Sequence, residues 1–271
     1  MTTSAITTLD PTAAKPPRSR RWIPFSLKLF LVILVATGVV GVSWTRLHYR
    51  RQQLILKKVG NLRGKVMIGG RISHRLPRVL FGAFTPGPLE IFDEVVGVDL
   101  NLTAATDDDL AELHALGALS QAGYLGLDGT QVTDKGLKWL HGMDRIRQLQ
   151  LCGTQITDDG LKHLEGMAGL TVLYLSDTEI SDTGLEHLQG LKSLDRLALD
   201  RTRVSDAGLE HLQGLTSLGY LVLDRTSVSD AGMTLLMSLK KLALLTVSAT
   251  KVTDSGVAEL RQHLPNVGVL K

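Results

Sequence analysis

Cysteine is nearly absent: Cys152 is the only one in 271 residues, which excludes an internal disulfide and any cysteine-rich metal site. Acidic side chains are almost missing from the first third of the chain. There Asp10 and Glu90 stand against 15 Lys and Arg in residues 1–90, a balance of +13. The totals of 30 basic and 27 acidic residues therefore leave 15 against 25 in residues 91–271, a balance of −10. The pI of about 9.0 belongs to the N-terminal part, and the acidic remainder is not expected to track phosphates, so no nucleic-acid partner is assigned. No glycine-rich phosphate loop occurs, no Cys and His pairing suggests a nucleophile, and no Ser, His and Asp combination falls outside the repeat described next. Neither an enzyme nor a cofactor is expected.

What the chain has instead is a period of 24 residues. Thr130, Thr154, Thr178, Thr202, Thr226 and Thr250 recur at that interval, each followed four residues later by Asp134, Asp158, Asp182, Asp206, Asp230 and Asp254. A period of this size marks a solenoid. Inside one unit Leu197 and Leu199 are two apart, as on one face of a strand, whereas Leu209 and Leu212 are three apart, as on one face of a helix. One unit thus reads as strand, turn and helix. Its leucines point into a space that a single unit cannot close. Burying each yields about 1.5–3 kcal/mol, which does not cover an ordering cost of about 1–2 kcal/mol per residue until neighbours stack on both sides.

The punctuation fits. Ser205 and Asp206 should supply oxygens to the free N–H groups of a first helical turn. Gly142, Gly166, Gly190 and Gly214 fall where each helix should stop, and glycine tolerates a left-handed helix end. The six threonines follow the strands, where a small hydroxyl can satisfy backbone groups, and they predict a structural ladder along the axis.

The resulting pattern, L-x-x-L-x-L-x-x-T-x-[IV]-[ST]-D-x-G-L-x-x-L, resembles the leucine-rich repeat. It is most similar to the cysteine-containing, ribonuclease-inhibitor-like subclass found in ubiquitin-ligase substrate receptors and in many bacterial, including membrane-anchored, proteins. It departs from that subclass in having Thr where Cys or Asn is usual, and no F-box-like helical segment precedes the repeats. The resemblance implies an α/β fold: a right-handed solenoid with a parallel sheet on the concave side and helices on the convex side.

Ahead of the repeats, residues 1–21 read as a disordered tail. Residues 22–44 read as one transmembrane helix. No charge occurs from Leu29 to Trp44, and Trp22 and Trp44 bracket about 33 Å of helix, near the roughly 30 Å hydrocarbon core. A buried soluble helix and a cleaved signal peptide are the alternatives; no convincing small-x-small cleavage site follows the segment. Lys15, Arg18, Arg20 and Arg21 precede it and Arg46, Arg50, Arg51, Lys57, Lys58 and Arg63 follow it, so the basic residues do not fix its orientation. Residues 45–90 read as a basic juxtamembrane helix and linker, the helix a solvated spacer or a site for anionic lipid. The leucine-rich repeat domain spans 91–271, with a degenerate first repeat at 95–121, six clear repeats at about 122–262 and a terminal strand at 264–271.

Side chains alternating with the core leucines face out of the sheet in columns about 4.8 Å apart from strand to strand. One column holds Tyr124, Gln148, Val172, Arg196, Tyr220 and Leu244; a second holds Gly126, Gln150, Tyr174, Ala198, Val222 and Thr246. A third holds Asp128, Cys152, Ser176, Asp200, Asp224 and Ser248. Tyr and Arg are frequent binding anchors, which makes Tyr124, Gln148, Gln150, Tyr174, Arg196, Asp200, Tyr220 and Asp224 candidates for contacting a protein partner or an envelope polymer. His163, His187 and His211 share the period, but successive helices lie on the order of 10 Å apart whereas zinc ligands lie about 2 Å from their metal, so no metal is expected. The function expected is a membrane-anchored, protein-binding module. A self-associating structural envelope protein and a substrate-receptor-type adaptor are the alternatives.

Overall fold

A computed structural model describes residues 47, 49–69 and 94–271. The expected tail at 1–21, the transmembrane helix at 22–44 and the linker beyond residue 69 lie outside the described residues; among those described, no helix is long and apolar enough to cross a membrane.

Helix α1 covers 49–61 and leads into strand β1, Lys65–Gly69. Strand β2, Glu94–Asp99, is followed by α2, Asp107–Ala115, and α3, Ala118–Gln121. Six units then follow, with strands β3 Tyr124–Gly126, β4 Gln148–Gln150, β5 Val172–Tyr174, β6 Arg196–Ala198, β7 Tyr220–Val222 and β8 Leu244–Thr246. Their helices are α4 Asp134–Leu137, α5 Asp158–Leu161, α6 Asp182–Leu185, α7 Asp206–Leu209, α8 Asp230–Leu235 and α9 Asp254–His263, and β9, Gly268–Leu270, comes last. The nine strands form one sheet in sequence order. β1 pairs antiparallel with β2 and every later pair is parallel, in a register that advances by one 24-residue unit at each step from β3 onward: Tyr124, Gln148, Val172, Arg196, Tyr220, Leu244, Gly268. The parallel α/β solenoid is the fold implied by the repeat.

The helices are shorter than the pattern suggests. α4 to α7 have four residues each and pass at once into a three-residue 3-10 turn, as with Glu210–Leu212 after α7. A leucine spacing of three, carried on from Leu209 through Leu212, Leu215 and Leu218, suits a helix of three residues per turn; all four are fully buried. Every unit's leucines join one continuous core.

The left-handed residues fall at only two of the four helix-stop glycines. Gly142 and Gly166 have φ of 76° and 83°, but Gly190 and Gly214 are absent from the positive-φ set. The recurring left-handed residue instead precedes each ladder threonine: Gly129, Gly153, Asp177, Arg201, Arg225 and Ala249, with φ between 56° and 63°. This turn keeps the N–H aimed at the next coil. Gly153 N–H reaches the Ser176 carbonyl at 2.8 Å and Arg201 N–H reaches that of Asp224 at 2.9 Å. Parallel pairing thereby continues past the three-residue strands.

The N-terminal segment expected as a juxtamembrane spacer is part of the array. Ile55 and Val59 of α1 are buried in the common core at 4% and 1% exposure. Lys58 Nζ lies 2.7 Å from Asp109 Oδ1 and also pairs with Glu112. Its hydrogen bond to Asp109, then that to Glu112, holds the Lys58 ammonium above its ordinary pKa. α1 and the antiparallel β1 thus close the first edge of the sheet, where hydrophobic side chains would otherwise meet water. The spacer expectation failed because only Ile55, Val59 and Leu62 among basic neighbours signal the packed face.

Candidate functional site

The threonines and the motif aspartates divide the structural work in a way the sequence does not show. Each ladder hydroxyl stays within its own coil: Thr130 Oγ1 donates to the Leu127 carbonyl at 2.7 Å, and Thr154, Thr178, Thr202, Thr226 and Thr250 donate to Leu151, Leu175, Leu199, Leu223 and Val247, each at 2.6 Å. The first five are buried. Coils are joined instead by the aspartates expected to begin the helices. Asp182 Oδ1 accepts the Ser205 N–H at 2.7 Å and Oδ2 accepts the Ser205 hydroxyl at 2.6 Å. The same two-point clip joins Asp107 to Thr133, Asp134 to Thr157, Asp158 to Ser181, Asp206 to Ser229 and Asp230 to Thr253. At Asp254, Lys271 Nζ takes that place at 2.7 Å. The expectation that Ser205 and Asp206 cap their own helix is corrected: Ser205 makes no side-chain cap bond.

The motif glycine belongs to the same device. A Cβ built on Gly184 would fall on the Asp158 carboxylate of the preceding coil, and the same holds at Gly136, Gly160, Gly208, Gly232 and Gly256. Partial burial raises the Asp158 pKa, but the Ser181 hydroxyl and N–H and the Thr183 hydroxyl outweigh it and hold the carboxyl below its ordinary value.

With coils joined at their flank, the open face of the sheet carries the candidate side chains. At its N-terminal end Tyr124 and Gln150 are bound to each other, the Tyr124 hydroxyl donating to Gln150 Oε1 at 2.8 Å, and Asn101 Nδ2 reaches the same oxygen at 2.8 Å. Gly126 leaves the room: a Cβ there would meet the Tyr124 hydroxyl and Asn101. Asn101, in the degenerate first repeat, was not among the expected residues. Gln148 is exposed. In the third column Asp224 Oδ1 accepts the Ser248 N–H at 2.6 Å and Asp200 accepts the Ser176 hydroxyl. Cys152, expected to face solvent, is half-buried; burial first, then the Asp128 carboxylate, pushes its pKa to about 11. Neither aspartate nor the thiol is a free group.

Tyr174, Arg196 and Tyr220 are arranged differently. The Arg196 guanidinium stacks 4.7 Å from the centre of the Tyr220 ring, an attraction of about 0.5–1 kcal/mol at exposed sites. Beside this pair lies a shallow hollow of about 150 Å³, lined by Tyr174, Arg196, Ala198, Tyr220, Val222 and Leu244. Its origin is local: Ala198 sits between Tyr174 and Val222 in one in-register column, and its short side chain leaves a gap. Ala198, Val222 and Leu244 were not among the expected contacts; the signal was a small residue between the larger Tyr174 and Val222 of its column. The lining is mostly apolar, with Asp195 Oδ2 at 3.5 Å from Arg196 Nε on the rim.

On the other side of the coils His187 Nδ1 lies 2.6 Å from Glu165 Oε1 and His211 Nδ1 lies 2.7 Å from Gln189 Nε2. Among the described residues no three His, Cys, Asp or Glu converge as metal ligands.

Fold and site together define a parallel α/β solenoid of 24-residue units whose open sheet face carries an apolar hollow. Residues 144–204 match the leucine rich repeat family. No curated protein matches the sequence. Among solved structures the chain is similar to an internalin C2 of Listeria monocytogenes, with TM-score 0.53 and 27% identity over 65% of this chain and 70% of that one. An internalin (inlF) of the same organism gives TM-score 0.50 and 24% identity over 60% of this chain, which spans only 43% of that one.

Proposed function

We propose that this chain is a non-enzymatic, membrane-anchored interaction module that binds a protein across strands β5 to β8. The observation that carries this reading is the hollow beside the stacked Arg196–Tyr220 pair. Its volume of about 150 Å³ is below the ~300–1,000 Å³ of small-molecule and cofactor sites and suits one inserted apolar side chain. Tyr and Arg around a small apolar hollow are the composition of an interface hot spot. Tyr174, Arg196 and Tyr220 form its centre, with Gln148 towards its periphery. Asp200 and Asp224 take part through their outward edges. The anchor is the uncharged run from Leu29 to Trp44.

Site-specific photo-crosslinking tests this. A photoreactive residue at Leu244 should give one discrete adduct in the native host, and the same residue at Glu210, exposed among the helices, should give none. In the Tyr174→Ala/Arg196→Ala/Tyr220→Ala background the adduct should disappear while the circular dichroism spectrum is unchanged. An adduct of equal yield in that background shows that Tyr174, Arg196 and Tyr220 do not hold the partner and refutes the reading.

A further inference from the structure

We propose that helix α1 is a lipid-docking element, lying against an anionic bilayer surface and fixing the array to it as a rigid body. The proposal builds on the membrane-anchor reading above, and the test separates the two. Among the described residues, α1 packs on the array through the face that holds Ile55 and Val59. At 3.6 residues per turn, Ile55 and Val59 share the buried face, and Lys58, beside it, is tied to Asp109 and Glu112. The opposite face centres on Arg50 and Lys57, both exposed, with Leu54 on one flank and Tyr49 and Leu56 on the other.

Two features select a bilayer surface as the occupant. The first is apolar exposure. Of nine exposed large hydrophobic residues among those described, four are Leu47, Tyr49, Leu54 and Leu56, at 54%, 42%, 52% and 37%. A merely solvated helix gives no reason to gather them beside cations, whereas an interfacial helix buries such side chains among the headgroups and lets Lys and Arg reach the phosphates. The second is charge. Residues 47–69 contain six Lys and Arg and no Asp or Glu, and Arg50, Arg51 and Lys57 have no ion-pair partner among the described residues. The rest of the array is acidic, so an anionic surface attracts this helix and repels what it carries. That asymmetry orients the sheet relative to the lipid.

The test uses the full chain with Cys152→Ser, a change already present in kind at Ser176 and Ser248 of the same column, and Leu54→Cys carrying an environment-sensitive fluorophore. The protein is reconstituted into vesicles of phosphatidylcholine alone or mixed with phosphatidylserine, with a spin-labelled lipid as shallow quencher. Docking predicts a blue shift and quenching in the anionic vesicles, little in the neutral ones, and none from a fluorophore at Glu210→Cys. Arg50→Glu/Lys57→Glu, the two cations at the centre of the outward face, should lower docking on the order of 100-fold and remove the quenching. No quenching in either vesicle overturns the proposal, as does quenching equal in both and indifferent to charge reversal. A shift that follows protein density at constant lipid composition overturns it in favour of a second copy on this face. Carbonate extraction of the same vesicles reports on the anchor separately. Protein released by carbonate refutes the anchor, and adding it back to fresh vesicles still reads out the helix.

Discussion

Replacing Asp158 and Gly184 singly and together measures the clip between coils. Asp158 accepts the Ser181 N–H at 2.8 Å, the Ser181 hydroxyl at 2.5 Å and the Thr183 hydroxyl at 2.6 Å. Water can replace the carboxylate at the two hydroxyls, so the main loss in Asp158→Ala is the part-buried Ser181 N–H left without its charged acceptor, about 1.5–3 kcal/mol. Gly184→Ala gains about 1 kcal/mol in helix propensity, but its Cβ displaces the carboxylate and so forfeits the same clip. The net loss should be about 0.5–2 kcal/mol. In the double variant no carboxylate remains to displace. The new Cβ then meets chiefly Leu161 Cδ1, at 3.2 Å, the far end of a side chain that can give way, and the propensity gain is recovered. The two changes should therefore be non-additive by about 2 kcal/mol, the double variant being no less stable than Asp158→Ala. Urea midpoints of residues 47–271, followed by far-ultraviolet circular dichroism, measure the cycle. Additivity within about 0.5 kcal/mol would refute the clip, because independent sites add to that tolerance.

The carboxyls of Asp158, Asp230 and Asp254 titrate below their ordinary value of 3.8 when folded. Their contribution is thus fully present above that pH and lost as pH falls through the folded values. Asp128, raised chiefly by burial, acts in the opposite sense but is a single group, so the melting temperature should hold from neutrality to about pH 4 and fall below it. Gly153→Ala should cost about 1 kcal/mol through φ alone, since its Cβ meets nothing within 4 Å; Arg201→Gly, at the same turn one coil pair further on, should cost nothing or stabilise, as denaturant midpoints will show. Cys152, with a thiol pKa near 11, should react with maleimide far more slowly than free cysteine at neutral pH, and tenfold faster per pH unit up to that value. A plateau near pH 8 would contradict its burial.

The period, the parallel sheet and the inward leucines are legible in the sequence because each depends on spacing alone: two for a strand face, three for the turns, 24 for the stack. The clips are not legible, because the same Ser-Asp pair that suits a helix start also suits a bridge between coils, and Thr133, Ser229 and Thr253 do both. Gly184 was readable as conserved in period but not as the space vacated for Asp158. The left-handed turn escaped notice for a related reason. Gly129 and Gly153 hint at it, but Asp177, Arg201, Arg225 and Ala249 fill the later positions and hide the rule. On the sheet face the columns were readable to the residue, whereas which members are free was not: Tyr124 and Gln150 satisfy each other, and Asp224 holds a backbone N–H.

This division of labour is what leaves β5–β8 available for the proposed binding. Coil-to-coil bonds run through the backbone ladder, the left-handed N–H groups, the aspartate clips and, at the strand ends, Asp128, Asp200 and Asp224, while the threonines serve their own coils, so the outward residues within a strand hold coils together only where they bond to one another. Those at β3 and β4 do so, through Asn101, Tyr124 and Gln150. From β5 onward Tyr174, Arg196, Tyr220 and Leu244 make no side-chain hydrogen bond that holds a coil, and substitution there leaves the leucine core intact. A face whose central side chains carry no coil-to-coil bond can change from coil to coil without unfolding the array, which is the freedom that shaping it to a partner requires.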